Sequence, residues 1–350
     1  MKEYVVRLYP HSAFEGNLSS STLFGALCWS IRVLYGEKTL EEEILSQFLQ
    51  KPVFLISGLF PFRQPDSNDD VNYFFPKPIC PLLRHESLQN IAQEFSEKFK
   101  PEKRMYHTEK FELARVLQEY KKFQKILLIP HNIFQSIARE DIRSAEDKLF
   151  REYLRGRLKI PDWKKEVGIQ KNSIDRLLET TGGAGNTFYN REYFLRKGFG
   201  LFFLLKTDTP EKIKAALKFI EDSGIGPNSK TGKNHFKMII EEKEMTDSTV
   251  RSSFITLSRF IQRKPFDVEN SYYEIEFARH KVESRHEFSG EDIWKNAVPF
   301  IKEGSLITLN EPAEFPGEIF PVKKLKDKTI YQYGNAYPYW VNLSIKESVS

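Results

Sequence analysis

The chain has 350 residues, 40% of them hydrophobic and 29% charged, with 53 Lys and Arg against 48 Asp and Glu and a formal net charge of +5. This balance excludes a disordered or fibrous polymer and leaves room for two ordinary domains. The small positive excess is compatible with a polyanionic partner, but the acidic count means that any basic surface is local. Two cysteines, Cys28 and Cys80, cannot make a disulfide framework or a Cys-based zinc site, so a reducing cytoplasm is expected. No apolar run approaches the ~20 residues of a spanning helix. The alternating Met1–Arg7 stretch has no signal-peptide core. These features predict a soluble, cytoplasmic protein with no membrane partner. The 29 Phe and 15 Tyr suit base stacking and core packing equally.

In chain order, Tyr4–Tyr9 reads as a strand and Pro10–Ser19 as a loop. Ser19, Ser20, Ser21 and Thr22 offer N-cap oxygens to a helix whose Leu23, Leu27, Ile31 and Leu34 fall at helical spacing, ended by Gly36. A second helix is predicted over Leu40–Phe48, a strand over Val53–Phe60, and a polar loop over Pro61–Asn72. Tyr73–Ile79 reads as an edge strand, because its prolines cannot donate to a ladder. Leu88–Tyr120 is predicted helical and Ile126–Ile129 extended. Trp163–Asn172 is basic with little apolar periodicity, Thr180–Asn186 is a flexible loop, and Thr187–Leu195 is one arm of a hairpin.

Phe199–Lys206 is a continuous apolar strand. Thr209-Pro210 opens a helix with Ile213, Ala216, Leu217 and Ile220 on one face, and His235–Ile240 alternates as a strand. Further strands are predicted at Phe254–Leu257, Tyr272–Phe277, Ser305–Leu309 and Tyr339–Leu343. The element order predicts an α+β fold of two tandem ferredoxin-like (RRM-like) domains, with a glycine-rich loop in the second and an inserted helical region and hairpin. The expected partition is 1–160, an N-terminal domain with helical insertion; 161–198, a thumb-like hairpin region; and 199–350, a C-terminal domain.

The segment Ser223-Gly224-Ile225-Gly226-Pro227-Asn228-Ser229-Lys230-Thr231-Gly232 has three readings. A P-loop needs G-x-x-x-x-G-K-[ST] between strand and helix. Here Gly226 and Gly232 are one residue too far apart, Asn234 follows Lys233, and the segment runs from helix to strand, so that reading fails. A structural turn accounts for Gly224 as a helix cap and for Gly226-Pro227. An RNA-backbone cradle, with amides and hydroxyls on phosphate oxygens and charge from Lys230 and Lys233, also accounts for the long basic run that follows.

A helix, glycine-rich loop and strand in this order resembles the RAMP proteins of CRISPR effector complexes. The resemblance narrows to the fourth-subunit family of the type III-A (Csm) complex through further segments: Ser19–Trp29, Phe75-Pro76-Lys77-Pro78, Asn172-Ser173-Ile174-Asp175-Arg176, Glu303-Gly304-Ser305 and Tyr333–Pro338. It covers nearly the whole chain. The family loop looks like Gly-x-Gly-Gly-x-x-Ser-x-Gly-x-Gly, and this chain carries Pro227 and Asn234 where glycines are usual.

The resemblance implies a non-catalytic subunit, without cofactor or metal, that binds the crRNA 5′ handle. It further implies contacts with the large polymerase/cyclase-like subunit and a backbone RAMP subunit, indirect contact with target RNA, and a role in antiviral defence. A thumb-like hairpin is then expected around Asn172–Arg196. Candidate RNA contacts are His11, Ser19, Ser20, Ser21, Thr22, Asn172, Arg176, Phe188, Gly224, Gly226, Asn228, Ser229, Lys230, Thr231, Gly232 and Lys233, with Tyr189 beside Phe188 as a further stacking ring. The run Lys323–Lys328 lacks interleaved aromatics and is expected to be solvated. So is the acidic loop 66–70, which lacks a calcium loop's glycine and distal glutamate.

An RNA-cleaving relative would need a histidine base, for which His11 and His235 are the candidates, but neither sits in a catalytic constellation. The alternatives to the RNA-binding subunit are a metal-independent guide-RNA-processing endoribonuclease and a protein-only scaffold.

Overall fold

The computed structural model describes residues 1–16, 18–66, 69–99, 109–158, 160–172, 187–226, 228–243, 249–283, 287–288 and 290–343. In chain order the N-terminal elements are β1 (Lys2–Pro10), β2 (Phe14–Glu15), α1 (Ser20–Tyr35), the single turn α2 (Ser46–Phe48), β3 (Phe54–Ile56), β4 (Phe60–Arg63) and β5 (Asn72–Pro76). A largely helical stretch follows, with α3 (His85–Glu94), α4 (Glu109–Phe123), β6 (Leu128–Pro130), α5 (His131–Ala138) and α6 (Ala145–Leu154). Then come β7 (Lys164–Asn172), β8 (Thr187–Leu195), β9 (Phe199–Thr207), α7 (Pro210–Ser223) and β10 (Phe236–Lys243). The remainder is β11 (Ser253–Thr256), β12 (Ile275–Ala278), β13 (Val298–Ile301), β14 (Leu306–Thr308), β15 (Phe320–Leu325), β16 (Lys328–Gln332) and β17 (Pro338–Trp340). Among the described residues no helix is long and apolar enough to cross a membrane.

The fold is mixed α and β with antiparallel strand ladders. Its centre is a seven-stranded sheet in the order β10-β1-β9-β4-β5-β6, with β3 also paired to β9. Along β1 both neighbours are in long register, Val6 opposite Ile240 on one side and Phe203 on the other. β1-α1-β3/β4-β9-α7-β10 is therefore one split β-α-β-β-α-β unit, with residues 64–198 inserted between β4 and β9. This corrects the expected tandem arrangement. β9, α7 and β10 complete the sheet that β1 begins and do not start a second unit, so the glycine-rich loop belongs to the same unit as α1. Among the described residues no α-helix follows α7. The C-terminal third instead forms a three-stranded sheet, β14-β11-β17, and the hairpins β12-β13 and β15-β16.

Alternation along β1 sends Tyr4, Val6 and Leu8 to one face, where they meet Leu23, Leu27 and Ile31 of α1 and Ile213, Leu217 and Ile220 of α7. The opposite face is covered by the inserted helices and by β11, β14 and Tyr337, with Phe202, Leu204, Phe75, Phe134 and Phe150 in one cluster. β9 is apolar from Phe199 to Leu205, before Lys206 and Thr207 end it, because both of its faces are covered. Each fully buried Phe or Leu there contributes roughly 1.5–3 kcal/mol.

Smaller differences have local causes. Thr39–Leu45 is π-helical where an α-helix was expected. Val53–Phe60 divides into two strands at Ser57, whose hydroxyl accepts from the Leu204 amide at 2.9 Å. β5 is not an edge strand: it lies between β4 and β6, and Pro76 is tolerated at its end. β7, which shows almost no apolar pattern, pairs over its full length with β8 in a nine-residue ladder, and β8 in turn holds β2.

Candidate nucleic-acid interface

The glycine-rich loop closes one end of the central sheet. Gly224 ends α7 at φ 81°, its amide donating to the Ile220 carbonyl at 2.8 Å. A Cβ there would come within 2.7 Å of the Ser229 Cβ, so glycine is required by conformation and by space. Ser229–Thr231 forms a 3-10 turn between Asn228 and Gly232, both left-handed. The amides of Thr231, Gly232 and Lys233 all donate within the loop. Three amides of the expected phosphate cradle are therefore occupied. Among its described residues, the loop presents Gly226, Asn228, Lys230, Thr231 and Gly232 to solvent.

Asn234 is buried and sits at φ 60°, a region that asparagine tolerates better than most residues. Its side-chain oxygen accepts from the Glu15 amide at 2.7 Å, and its own amide donates to the Ala13 carbonyl at 3.0 Å. Asparagine thus takes the glycine-like conformation and adds a bond that ties the loop to β2. Pro227 lies outside the described residues. His235 is fixed likewise: its amide donates to Ser12 Oγ at 3.1 Å and its ring Nε2 lies 3.0 Å from the Ser229 carbonyl. His11 is exposed, with its amide on the His235 carbonyl at 2.9 Å.

The loop's cations are not free charges. Lys233 reaches Glu192 on β8 at 2.6 Å, and Lys171 on β7 reaches Glu15 at 2.8 Å and Glu192 at 3.7 Å. Both carboxylates are buried. Burial pushes Glu15 up, but the hydrogen bonds from Lys171 and Asn228 and the Lys171 charge outweigh it and hold its carboxyl below the usual range. Lys230 is exposed and pairs at 3.6 Å with Glu283.

The serines are the clearest correction. Ser19, Ser20 and Ser21 are buried, and Ser20 Oγ accepts from the Arg259 amide at 3.2 Å, which ties the helix start to the C-terminal region. Ser19 is the N-cap, but through its backbone carbonyl, which accepts from Thr22 and Leu23. Thr22 is partly exposed and lines the approach to Gly226, where a Cβ would lie 3.1 Å from its methyl. Asn172 is exposed at the end of β7 and Phe188 is 48% exposed on β8. Arg176 lies outside the described residues, as does the tip of the expected thumb.

Beside the loop the β7–β8 hairpin encloses an open groove of about 800 Å³. Trp163, Tyr189 and Tyr193 line it with Lys164 and Arg191, and Asn228 brings the loop to its rim. Tyr193 stacks on Phe14 at 5.3 Å, and the Lys164 ammonium sits 4.3 Å from the Tyr193 ring centroid and 4.8 Å from that of Trp163. Burial lowers the pKa of Lys164, only partly offset by Glu166. Tyr189 is 70% exposed. An exposed ring such as Tyr189, beside cations, suits a stacked base and its phosphate. Trp163, Lys164, Arg191 and Tyr193 were not candidates from sequence; the available signal was alternation in Thr187–Leu195, which puts Tyr189, Arg191 and Tyr193 on one face.

Sheet, hairpin groove and glycine-rich loop together define the class: a mixed α/β chain built on a split ferredoxin-like unit. The particular likeness is to chains of three solved assemblies. A chain in the Csm1–Csm4 cassette in complex with AMPPNP is 19% identical, with 98% of this chain and 99% of that chain covered and a TM-score of 0.55. The same cassette with pppApA gives 18%, 99% and 100%, and 0.55. A Csm3–Csm4 subcomplex of the type III-A CRISPR-Cas interference complex gives 17%, 98% and 100%, and 0.54. The likeness in fold is thus to chains of the same kind of assembly that the sequence resemblance pointed to. No family model and no curated protein matches the chain.

Proposed function

We propose that this chain is a non-catalytic RNA-binding subunit of a type III-A CRISPR effector complex. In this reading it holds the 5′ handle of the guide RNA in the hairpin groove and over the exposed face of the glycine-rich loop. It also anchors the large polymerase/cyclase-like subunit and abuts a backbone RAMP subunit. Csm4 is the component common to the three assemblies, and the likeness extends over nearly the full length of both chains, which supports the placement among such subunits. The single observation that carries RNA binding is the meeting of an aromatic, cation-lined groove with the loop at Asn228.

The reading is tested by isolating the chain with its complex. A high 260/280 nm absorbance ratio is expected from bound RNA, and RNA-free preparations of both chain and complex overturn it. Metal-free cutting of a repeat-containing transcript, lost on His11→Ala or His235→Ala, would replace the non-catalytic reading with a ribonuclease.

A further inference from the structure

Among the described residues of the glycine-rich loop, Asn228 alone lines the hairpin groove. It is exposed, at φ 61°, and yet it is held by both its backbone and its side chain. Its carbonyl accepts from the Thr231 amide at 3.0 Å, the Lys233 amide at 3.3 Å and the Thr231 hydroxyl at 2.8 Å. Its side-chain nitrogen donates to Oε2 of Glu15. The same oxygen accepts from Asn190 Nδ2 at 3.1 Å, and Glu15 Oε1 accepts from Lys171 at 2.8 Å. An exposed side chain ordinarily flips between rotamers within nanoseconds, so an exposed amide fixed in this way is preorganised.

Which end of the amide faces outward follows from its partner. Glu15 is buried, and burial alone would raise its pKa, but the bonds from Lys171 and Asn228 and the Lys171 charge outweigh it. The group is therefore ionised at neutral pH. An ionised carboxylate only accepts hydrogen bonds, so the end of the Asn228 amide that meets it is the nitrogen. The nitrogen lies inward on buried Glu15, and the oxygen of this exposed residue is turned outward. A carbonyl oxygen bonds an N–H and offers nothing to a phosphate oxygen or to the carbonyl of a base.

We propose that Asn228 reads a base and not the RNA backbone: its Oδ1 accepts a hydrogen bond from the exocyclic amino group of a base bound in the groove. Glu15 is the positioning residue that fixes the amide. Adenine and cytosine carry such a group on their pairing edge. Uracil has none, and its single imino N–H lies between two carbonyl oxygens that the Asn228 oxygen repels. The inference rests on RNA binding in the groove, as proposed above, and adds to it a preference among bases. It also separates Asn228 from Lys230, whose exposed ammonium remains a candidate phosphate contact.

The test titrates the whole chain with labelled tetranucleotides, read by fluorescence anisotropy. One pair is adenosine and purine riboside, which differ by the 6-amino group alone. The other is cytidine and its analogue lacking only the 4-amino group. In at least one pair the amino-bearing member should bind about fivefold more tightly, the worth of one net hydrogen bond. Preference in the first pair alone assigns a purine, and in the second alone a pyrimidine. Asn228→Gly, which suits the left-handed backbone, should equalise the pair by weakening the amino-bearing member only, whereas a merely structural role would weaken both members. If that variant fails a thermal-melt check, Glu15→Gln reads the same loss, because a neutral amide partner lets Asn228 present either end. Two failures are distinguishable. If no tetranucleotide binds, RNA binding in the groove falls and this inference falls with it. If all bind but neither pair shows a preference, or the preference survives Asn228→Gly, base reading at Asn228 falls and the groove stands.

Discussion

At the glycine-loop end of the central sheet, Lys171 and Lys233 meet two buried carboxylates, whereas at the other end Glu3 stands in register between Lys206 and Lys243 of the neighbouring strands. The first arrangement is internally balanced, so its charges organise the loop and the hairpin. In the second, Glu3 is buried against the Tyr337 hydroxyl, and the Lys206 ammonium sits over that tyrosine's ring. A lysine in a glycine-rich segment is therefore weak evidence of phosphate contact until its partners are known.

The comparison is broken most sharply by removing the balance. Lys171→Met with Lys233→Met leaves Glu15 and Glu192 as buried carboxylates without these cations, Glu15 keeping its bonds from Asn190 and Asn228. A loss of about 3–5 kcal/mol is expected in urea denaturation, toward the lower figure because both lysines keep some solvent contact. A loss below ~1 kcal/mol would mean that the cluster is not what holds the hairpin to the loop. Asn234→Ala combines an unfavourable backbone conformation with loss of the bond to the Glu15 amide, and should cost about 2–4 kcal/mol. Asn234→Gly should recover the conformational part and leave a smaller deficit.

On the RNA side, Tyr189→Ala should weaken binding by about 1–3 kcal/mol if a base stacks on it, with the thermal midpoint unchanged because the ring is exposed. Unchanged affinity would move the interface away from the groove. Lys230→Ala should lower the slope of log K against log salt by about 0.7, the value for one single-strand phosphate contact. Lys233, tied to Glu192, should not behave as such a contact.

The smallest effect is in acid. Hydrogen bonds from Arg32 and Lys328 hold Glu287 down at about 2, from its ordinary 4.5. A carboxyl depressed in the folded state contributes stability that is fully present above about 4.5 and is lost as pH falls toward 2. Glu287→Gln should flatten that part of the stability–pH curve, and a curve identical to that of the parent protein would remove Glu287 from the account.

Elements with strong local pattern were legible in the sequence. β1, α1, β9, α7 and β10 all fall where alternation or helical spacing put them, because their partners reward burial on one face or, for β9, on both. Which strands pair was not legible, since β1 finds its neighbours about 190 and 230 residues onward and nothing local encodes that register. β7 escaped because a nine-residue backbone ladder, not burial, defines it. Ser19–Ser21 read as open cap hydroxyls, but the Arg259 segment covers them from 240 positions away. The basic run Lys323–Lys328 read as solvated, yet it is a hairpin turn with Lys326 at φ 55°, in which Lys323 bonds Asp292 and Lys328 bonds Glu287 and Glu37. Of the groove, Tyr189 had been singled out with Phe188 from the sequence, and the remaining walls had not.

The position of β1 between β9 and β10 has a consequence for synthesis. At ~5–20 residues per second, a ribosome takes on the order of 10–50 s to move from the end of β1 to the end of β10. Until β9 is made both hydrogen-bonding edges of β1 lack their final neighbours, and one edge still lacks its neighbour until β10 follows, an opening for mispairing or for chaperone capture. A fragment ending before residue 199 would keep β1 without either flanking strand, so pieces of this chain should aggregate where the whole chain does not.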